Sequence, residues 1–251
     1  SSMRTLVVLP TYNEAENVVP ILEAIREAAP DVDVLVVDDA SPDGTGKLAV
    51  DAGSRLGHID VLHREGKAGL GKAYRAGFAL GLERGYDAFV EMDADFSHDP
   101  AALPSLLAAA QHFEVVIGSR YVQGAAIPNW RLARLALSRG GNLYASILLG
   151  LHVEDSTSGF RVYRRSALDK IRYETVEAEG YGFQIEMTYR ARQGGATITE
   201  VPITFIDRAH GTSKMSSAIV IEALLLVTTW ACRRVAGALG LRRSRGEHAA
   251  H

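Results

Sequence analysis

The sequence predicts an α/β fold in which a mainly parallel sheet carries helices on both faces. Short apolar, β-rich runs alternate with helical stretches from Thr5 to Arg120, the order that calls for parallel strands joined by crossover helices. The first run is continuous rather than alternating in polarity, as a strand buried on both faces requires. A third observation places a site. Asp38, Asp39, Asp93 and Asp95 all fall where such runs end, and open α/β sheets bind ligands at the carboxyl ends of their strands.

Thr5–Leu9 reads as the first strand, ended by Pro10. Asn13, with Glu16 three residues on, makes a capping-box-like start for a helix reaching about Ala29, and Val32–Val37 completes a βαβ unit. Asp38 and Asp39 close that strand, and a turn over Ala40–Gly46 leads to a helix ending near Leu56. Asp60–Arg64 is a third short strand. Glu65–Gly71 is a glycine-rich loop with one cation, Lys67, ahead of a helix reaching Gly85. Glycines let backbone amides approach a phosphate that Lys67 would neutralise, although a plain turn into a tightly packed helix uses the same residues.

The densest chemistry lies in Val90–His98. Ala88–Val90 climbs into two carboxylates spaced i and i+2, which extended backbone places on one face. Two hard oxygen ligands at one point suit Mg²⁺ or Mn²⁺, whose shell is completed by water and the oxygens of a diphosphate. The same residues also fit a solvated turn, with Asp99-Pro100 capping the next helix. That helix runs from Pro100 to about Gln111, and Glu114–Arg120 is a strand with Arg120 at its end.

Arg131–Leu149 reads as a helix with Arg134 and Ser138 one turn apart, on a face that is either functional or a solvated stripe. Asp155–Arg161 is a polar loop running into a strand-like Phe160–Tyr163; it either lines a site or merely connects. Ile203–Arg208 alternates in polarity before His210–Lys214, and here Arg208 and Lys214 are either ligands or surface charges. Ala218–Cys232 has only Glu222 charged. As a helix it reaches roughly 22 Å, short of the roughly 30 Å of a hydrocarbon core. It is therefore expected to lie on a membrane surface, bind an apolar partner, or fold back as a core helix. Arg233, Arg234, Arg242, Arg243 and Arg245 make the surface plausible, since anionic lipid attracts such clusters.

Composition sets the bounds. A chain of 251 residues, 47% hydrophobic and 23% charged, is ordinary for one large globular domain, and a net charge of −3 argues against general nucleic-acid binding. Cys232 is the single cysteine, so no intrachain disulfide forms; apolar packing is its expected role, and a reducing compartment fits. Leu6–Leu9 is too short for the apolar core of a secretory signal. Ser1 and Ser2, ahead of Met3, read as a remnant and stay outside the argument.

Taken together, Pro10–Glu14, Val37–Gly46, Lys67–Gly71, Met92–His98, Gly118–Tyr121, Asp155–Arg161 and Arg208–Lys214 resemble the polyprenyl-phosphate (dolichol-phosphate) mannose synthases, inverting glycosyltransferases of the large family 2 type with the GT-A fold. The resemblance runs from about Met3 to Lys214. It implies a catalytic domain over 3–214; the residues beyond it read as a C-terminal amphipathic or membrane-surface helix over 215–241, for peripheral membrane or partner docking, and a flexible polar tail over 242–251. It also implies that Pro10, Tyr12, Glu14 and Asp39 hold the base and ribose of GDP-mannose. Lys67 and Asp93 are assigned with them to the nucleotide, and Asp93 and Asp95 to the divalent metal. Where some members supply a glutamine ligand this chain has Ser97, so a water is expected between it and the metal. Arg120, Arg134, Ser138, Arg208 and Lys214 correspond to residues for the acceptor phosphate, with Asp95, Arg120 and Arg208 carrying catalysis.

The implied reaction moves mannose from GDP-mannose to a polyprenyl monophosphate. The implied setting is peripheral, on the cytoplasmic face of a membrane, through the terminal helix or a separate membrane-anchor protein. A phosphate monoester is mostly dianionic at neutral pH, so no general base is expected. The alternatives are a UDP-glucose donor or a non-catalytic sugar-nucleotide sensor.

Overall fold

The computed structural model describes residues 2–207 and 217–247. Seven strands form one sheet: β1 (Thr5–Thr11), β2 (Asp33–Asp38), β3 (Ile59–His63), β4 (Ala88–Glu91), β5 (Val115–Ser119), β6 (Arg161–Arg164) and β7 (Ile198–Pro202). Their order is β3-β2-β1-β4-β6-β5-β7. Every neighbouring pair is parallel except the two made by β6, which runs antiparallel to β4 and β5. That reversal matters for the site. It brings the loop before β6, not the one after it, to the edge where the parallel strands end.

Alternation along β1 sends Leu6 and Val8 to one face and Val7 and Leu9 to the other, and each face has its own core. Helices α1 (Val18–Ala28), α2 (Thr45–Leu56) and α4 (Leu103–Ala109) cover the second face. Helices α3 (Leu70–Glu83), α6 (Arg165–Ile171) and α7 (Gly180–Gln193) cover the first, joined by residues of α5 (Leu132–Leu149) and α8 (Ser217–Glu247). Helix α3 approaches the sheet closely at Gly77 and Gly81; an added Cβ at Gly81 would lie 2.4 Å from Phe89 Cε1 and 2.8 Å from Leu6 Cδ2. Gly81→Ala is therefore expected to destabilise by about 1–3 kcal/mol through overpacking. Gly140→Ala, inside α5 with open space around it, should instead stabilise by roughly 0.5–1 kcal/mol. Urea unfolding of the two variants checks the opposite signs.

Several boundaries differ from the sequence reading. Asn13 does not start a helix: it sits at φ 55, and α1 begins only at Val18. The intervening backbone is tied instead to the loop after β2, with the amides of Asn13, Glu14 and Ala15 donating to Ser41, Thr45 and Asp43. Those bonds outcompete a capping box. The helix expected from Pro100 is a 3₁₀ turn over Pro100–Ala102 followed by α4. β7 precedes the alternating Ile203–Arg208 stretch, in which Thr204 and Phe205 make only isolated bridges, to Ala126 and His98.

The long apolar helix folds back in part. Ala223 and Val227 of α8 are buried in the core, and Trp230 stacks on Tyr189 of α7 with ring centroids 6.5 Å apart. Its other side leaves Ile221, Leu225 and Val235 exposed. Cys232 lies on that outward side and is exposed, contrary to the packing role expected of it. The backbone of α8 continues to Glu247, past Arg242, where the polar tail was expected to begin. Among the described residues no helix is long and apolar enough to cross a membrane.

Candidate active site

A cleft of about 410 Å³ runs along the edge where the parallel strands end. Five of the strands and one helix deliver the predicted part of its lining. Pro10, Tyr12 and Glu14 follow from β1, Asp39 from β2, Lys67 from the loop after β3, Asp93 and Asp95 from β4, Arg120 from β5 and Arg134 from α5. All of these predicted residues meet in this one space.

At the β1–β3 end, Lys67 Nζ stands 4.5 Å from the ring centroid of Tyr12, so the glycine-rich loop reaches over the tyrosine through a cation–π contact. Asp39 approaches Arg64 at 3.4 Å. Its neighbour Asp38 does not reach the cleft. It is buried and accepts from Thr11 Oγ1 at 2.8 Å and Ser41 Oγ at 2.7 Å, bracing the turn that presents Asp39.

In the middle, the backbone N–H of Asp93 donates to His98 Nδ1 at 3.0 Å, which leaves the imidazole proton on Nε2. Burial lowers the His98 pKa, against the opposing pull of Asp93 and Asp95, and the neutral ring stacks on Phe160. His98 thus fixes the backbone of the carboxylate pair. Ser97 Oγ is turned to Asp95 Oδ1 at 2.5 Å, not outward as a ligand. Among the described residues no group of three or more His, Cys, Asp or Glu is placed to hold a metal, and the hard oxygen donors lining the middle of the cleft are the carboxylates of Asp93 and Asp95. That donor set fits a hard divalent cation that takes its remaining ligands from phosphate and water.

At the far end, Arg120 is held by Asp155. Its Nε and Nη2 donate to the two carboxylate oxygens at 2.8 and 2.9 Å, and its backbone N–H adds a third bond at 2.9 Å. Burial alone would raise the Asp155 pKa, but the Arg120 charge and its bonds outweigh that and hold the carboxyl below the ordinary range. Arg134 pairs with Asp207 at 3.1 Å and lies over Trp130, its Cζ 3.9 Å from the ring centroid. Ser138 bonds the Tyr121 hydroxyl and faces a smaller groove between α5, α7 and α8, lined by Leu137, Tyr181, Val220 and Leu224. Thr157 and Tyr181 border both spaces. Arg208 and Lys214 lie outside the described residues.

The sequence reading missed the carboxylates that aim the arginines and the contribution of α7. Asp155 stood inside a flagged loop, and an acid among Ser and Thr was its only signal. Tyr181 and Gln184 come from α7, whose residues from Gly182 to Thr188 are all buried, so no polar–apolar period exists to read. Arg161, in the same flagged motif, is fully buried and spends its guanidinium on Ser156 O, Ser158 O and Thr188 Oγ1, shaping the loop before β6.

Residues 6–172 match the family model for glycosyl transferase family 2. The chain is 52% identical over 228 residues to the undecaprenyl-phosphate mannosyltransferase of Micrococcus luteus, covering 91% of this chain and 94% of that one. It is 49% identical over 234 residues to the polyprenol monophosphomannose synthase of Mycolicibacterium smegmatis, covering 92% and 88% respectively. Among solved structures, glucosyl-3-phosphoglycerate synthase from Mycobacterium tuberculosis superposes with a TM-score of 0.67 at 22% identity, over 90% of this chain and 80% of that one. The mannosyltransferase from Pyrobaculum calidifontis, in complex with GDP-Man and Mn²⁺, gives 0.57 at 15% identity, over 100% and 81%. The fold is GT-A, as expected.

Proposed function

The chain belongs to glycosyl transferase family 2, and from that membership we propose that it moves mannose from GDP-mannose to a polyprenyl monophosphate with inversion. One observation carries the reading: a single cleft is lined by a pair of carboxylates and by two arginines, one just past β5 and one on α5. Two anionic substrates repel, and this division of charge offsets repulsion on both sides. Mannose and a lipid-phosphate acceptor are supported by the names of the two relatives at about half identity. The guanine nucleotide rests on the resemblance of Pro10, Tyr12, Glu14 and Asp39 to the mannose synthases.

In this reading Tyr12, Glu14 and Asp39 hold base and ribose, Lys67 closes over them, and Asp93 and Asp95 would hold the divalent ion. Held there, such an ion would supply positive charge to the departing diphosphate. Arg120 keeps Nη1 for the acceptor, because Asp155 occupies its other nitrogens, and Arg134 supplies a second cation. The acceptor oxygen attacks the anomeric carbon from the face opposite the diphosphate. Already ionised, it needs no side chain to remove a proton.

The polyprenyl chain leaves by the smaller groove, which begins at Thr157 and Tyr181 and runs between Leu137 and Val220. Beside it, Leu143 and Ile147 of α5 and Ile221 and Leu225 of α8 are exposed at i, i+4 spacing. They form the apolar face of a peripheral attachment to the cytoplasmic side of a membrane. The test offers labelled GDP-mannose, UDP-glucose or UDP-galactose with Mg²⁺ and polyprenyl phosphate, and follows label into organic solvent. Transfer from GDP-mannose alone is the expected result; transfer only from a uridine donor overturns the mannose assignment.

A further inference from the structure

We propose that Gln184 reads the hexose of the nucleotide-sugar donor, in a space that Gly159 keeps open. This rests on the donor reading above and names the residue that would recognise the sugar. Strand order supplies the first step. The cleft residues run from β3, β2 and β1 through the carboxylates after β4 to Arg120 after β5, with β6 lying between β4 and β5. A nucleotide diphosphate-sugar is linear, and its anomeric carbon must lie between the diphosphate and the attacking acceptor. With base and ribose over β1 and β2 and the diphosphate at Asp93 and Asp95, the hexose falls over the loop that enters β6. Gly159 is in that loop.

Three groups converge there. A Cβ built on Gly159 would lie 3.6 Å from Gln184 Nε2, 3.6 Å from His98 Cε1 and 3.9 Å from Asp93 Oδ1. These are ordinary contact distances and the backbone is not left-handed, so the fold itself does not demand glycine at this position.

Gln184 is the second step. Its side chain borders the cleft, the residue is 2% exposed, and neither Nε2 nor Oε1 makes a hydrogen bond among the described residues. Glu91 beneath it is also fully buried, and the Gln184 amide is near enough to help offset the burial of that carboxyl, after the Arg161 charge. Glu91 can engage only one side of the carboxamide, and leaving the rest of a buried amide unpaired is costly, so that remainder is expected to find partners when the cleft fills. A carboxamide offers two donors and one acceptor. That suits hydroxyl groups, which both give and take, better than a phosphate, which only accepts. The backbone carbonyl of Gln184 separately accepts from Arg161 and Thr188, so changing the side chain leaves the helix tied in place.

The test is titration of the full-length protein with GDP-mannose and with GDP, both with Mn²⁺, by calorimetry. Gln184→Leu should raise the Kd for GDP-mannose about tenfold, the size of one or two neutral hydrogen bonds, while the Kd for GDP stays within twofold. Gly159→Ala, whose methyl fits the protein but occupies the sugar space, should shift the same ratio in the same direction. Equal weakening of both ligands, or no change in either, overturns the assignment. Absence of GDP-mannose binding by the wild-type protein overturns the parent reading instead, and this one with it.

Discussion

Arg120→Met is expected to lose both turnover and stability, the largest combined effect of any single change in the cleft. Turnover should fall on the order of 10²–10³-fold, as when a fixed electrostatic donor is removed from a reacting centre. Stability should fall by about 3–5 kcal/mol, because Asp155, with no exposed surface, is left as an unpaired buried charge. Arg120→Lys separates the two losses. Lysine keeps the charge opposite Asp155 but cannot bond its carboxylate with a planar fork while presenting another nitrogen to the cleft. It should recover most of the stability and little of the turnover. The pair also gives a pH signature. Arg120 holds the folded-state pKa of Asp155 below its ordinary 3.8. Its stabilisation is therefore complete above the unfolded pKa and is lost as pH falls through the lower folded value. Thermal unfolding from pH 2 to 6 should show a steeper acid-side decline in the wild-type protein than in Asp155→Asn. Equal slopes would remove the ion pair from the account.

How much of this was legible in the sequence follows from what leaves a local mark. β1 and β2 were readable because strands buried on both faces are continuous apolar runs, and the acids at their ends stood out against them. Asp93 and Asp95 were readable for the same reason, as acids just past an apolar run, although β4 stops at Glu91 and Asp95 sits in a bend, not in the extended backbone expected of it. Asp38 shows the limit of that logic. It shares a strand end with Asp39 but turns inward to Thr11 and Ser41, a choice made by hydrogen bonds from elsewhere in the chain. Asn13 was misread similarly, because its local helix signal competes with three backbone bonds to a loop nearly thirty residues on. Asp155 had to be met in space, since its partner is 35 residues away. Gln184 sits in a helix buried on most sides, where binary pattern carries no information.

Asp93→Asn and Asp95→Asn should show the opposite combination to Arg120→Met, which makes the two sets a single experiment. Each is nearly isosteric and removes one of the two carboxylate charges lining the middle of the cleft, so the metal-free protein should keep its stability to within about 0.5 kcal/mol. Turnover should nevertheless fall on the order of 10²–10³-fold, and chelation of divalent ions should bring the wild-type protein to the same level. The sharper readout is thermal. Ligand that binds only the folded state raises stability by RT ln(1 + [L]/Kd), about 2.7 kcal/mol at a hundredfold excess over Kd. Wild-type protein should therefore gain melting temperature from Mn²⁺ and GDP together, and the Asn variants should not, while Arg120→Lys should gain as the wild type does. Retention of the Mn²⁺-dependent shift in both Asn variants would place the ion elsewhere. The acidic edge of the cleft would then be a solvated turn after all, and the division of charge between donor and acceptor would have no physical basis.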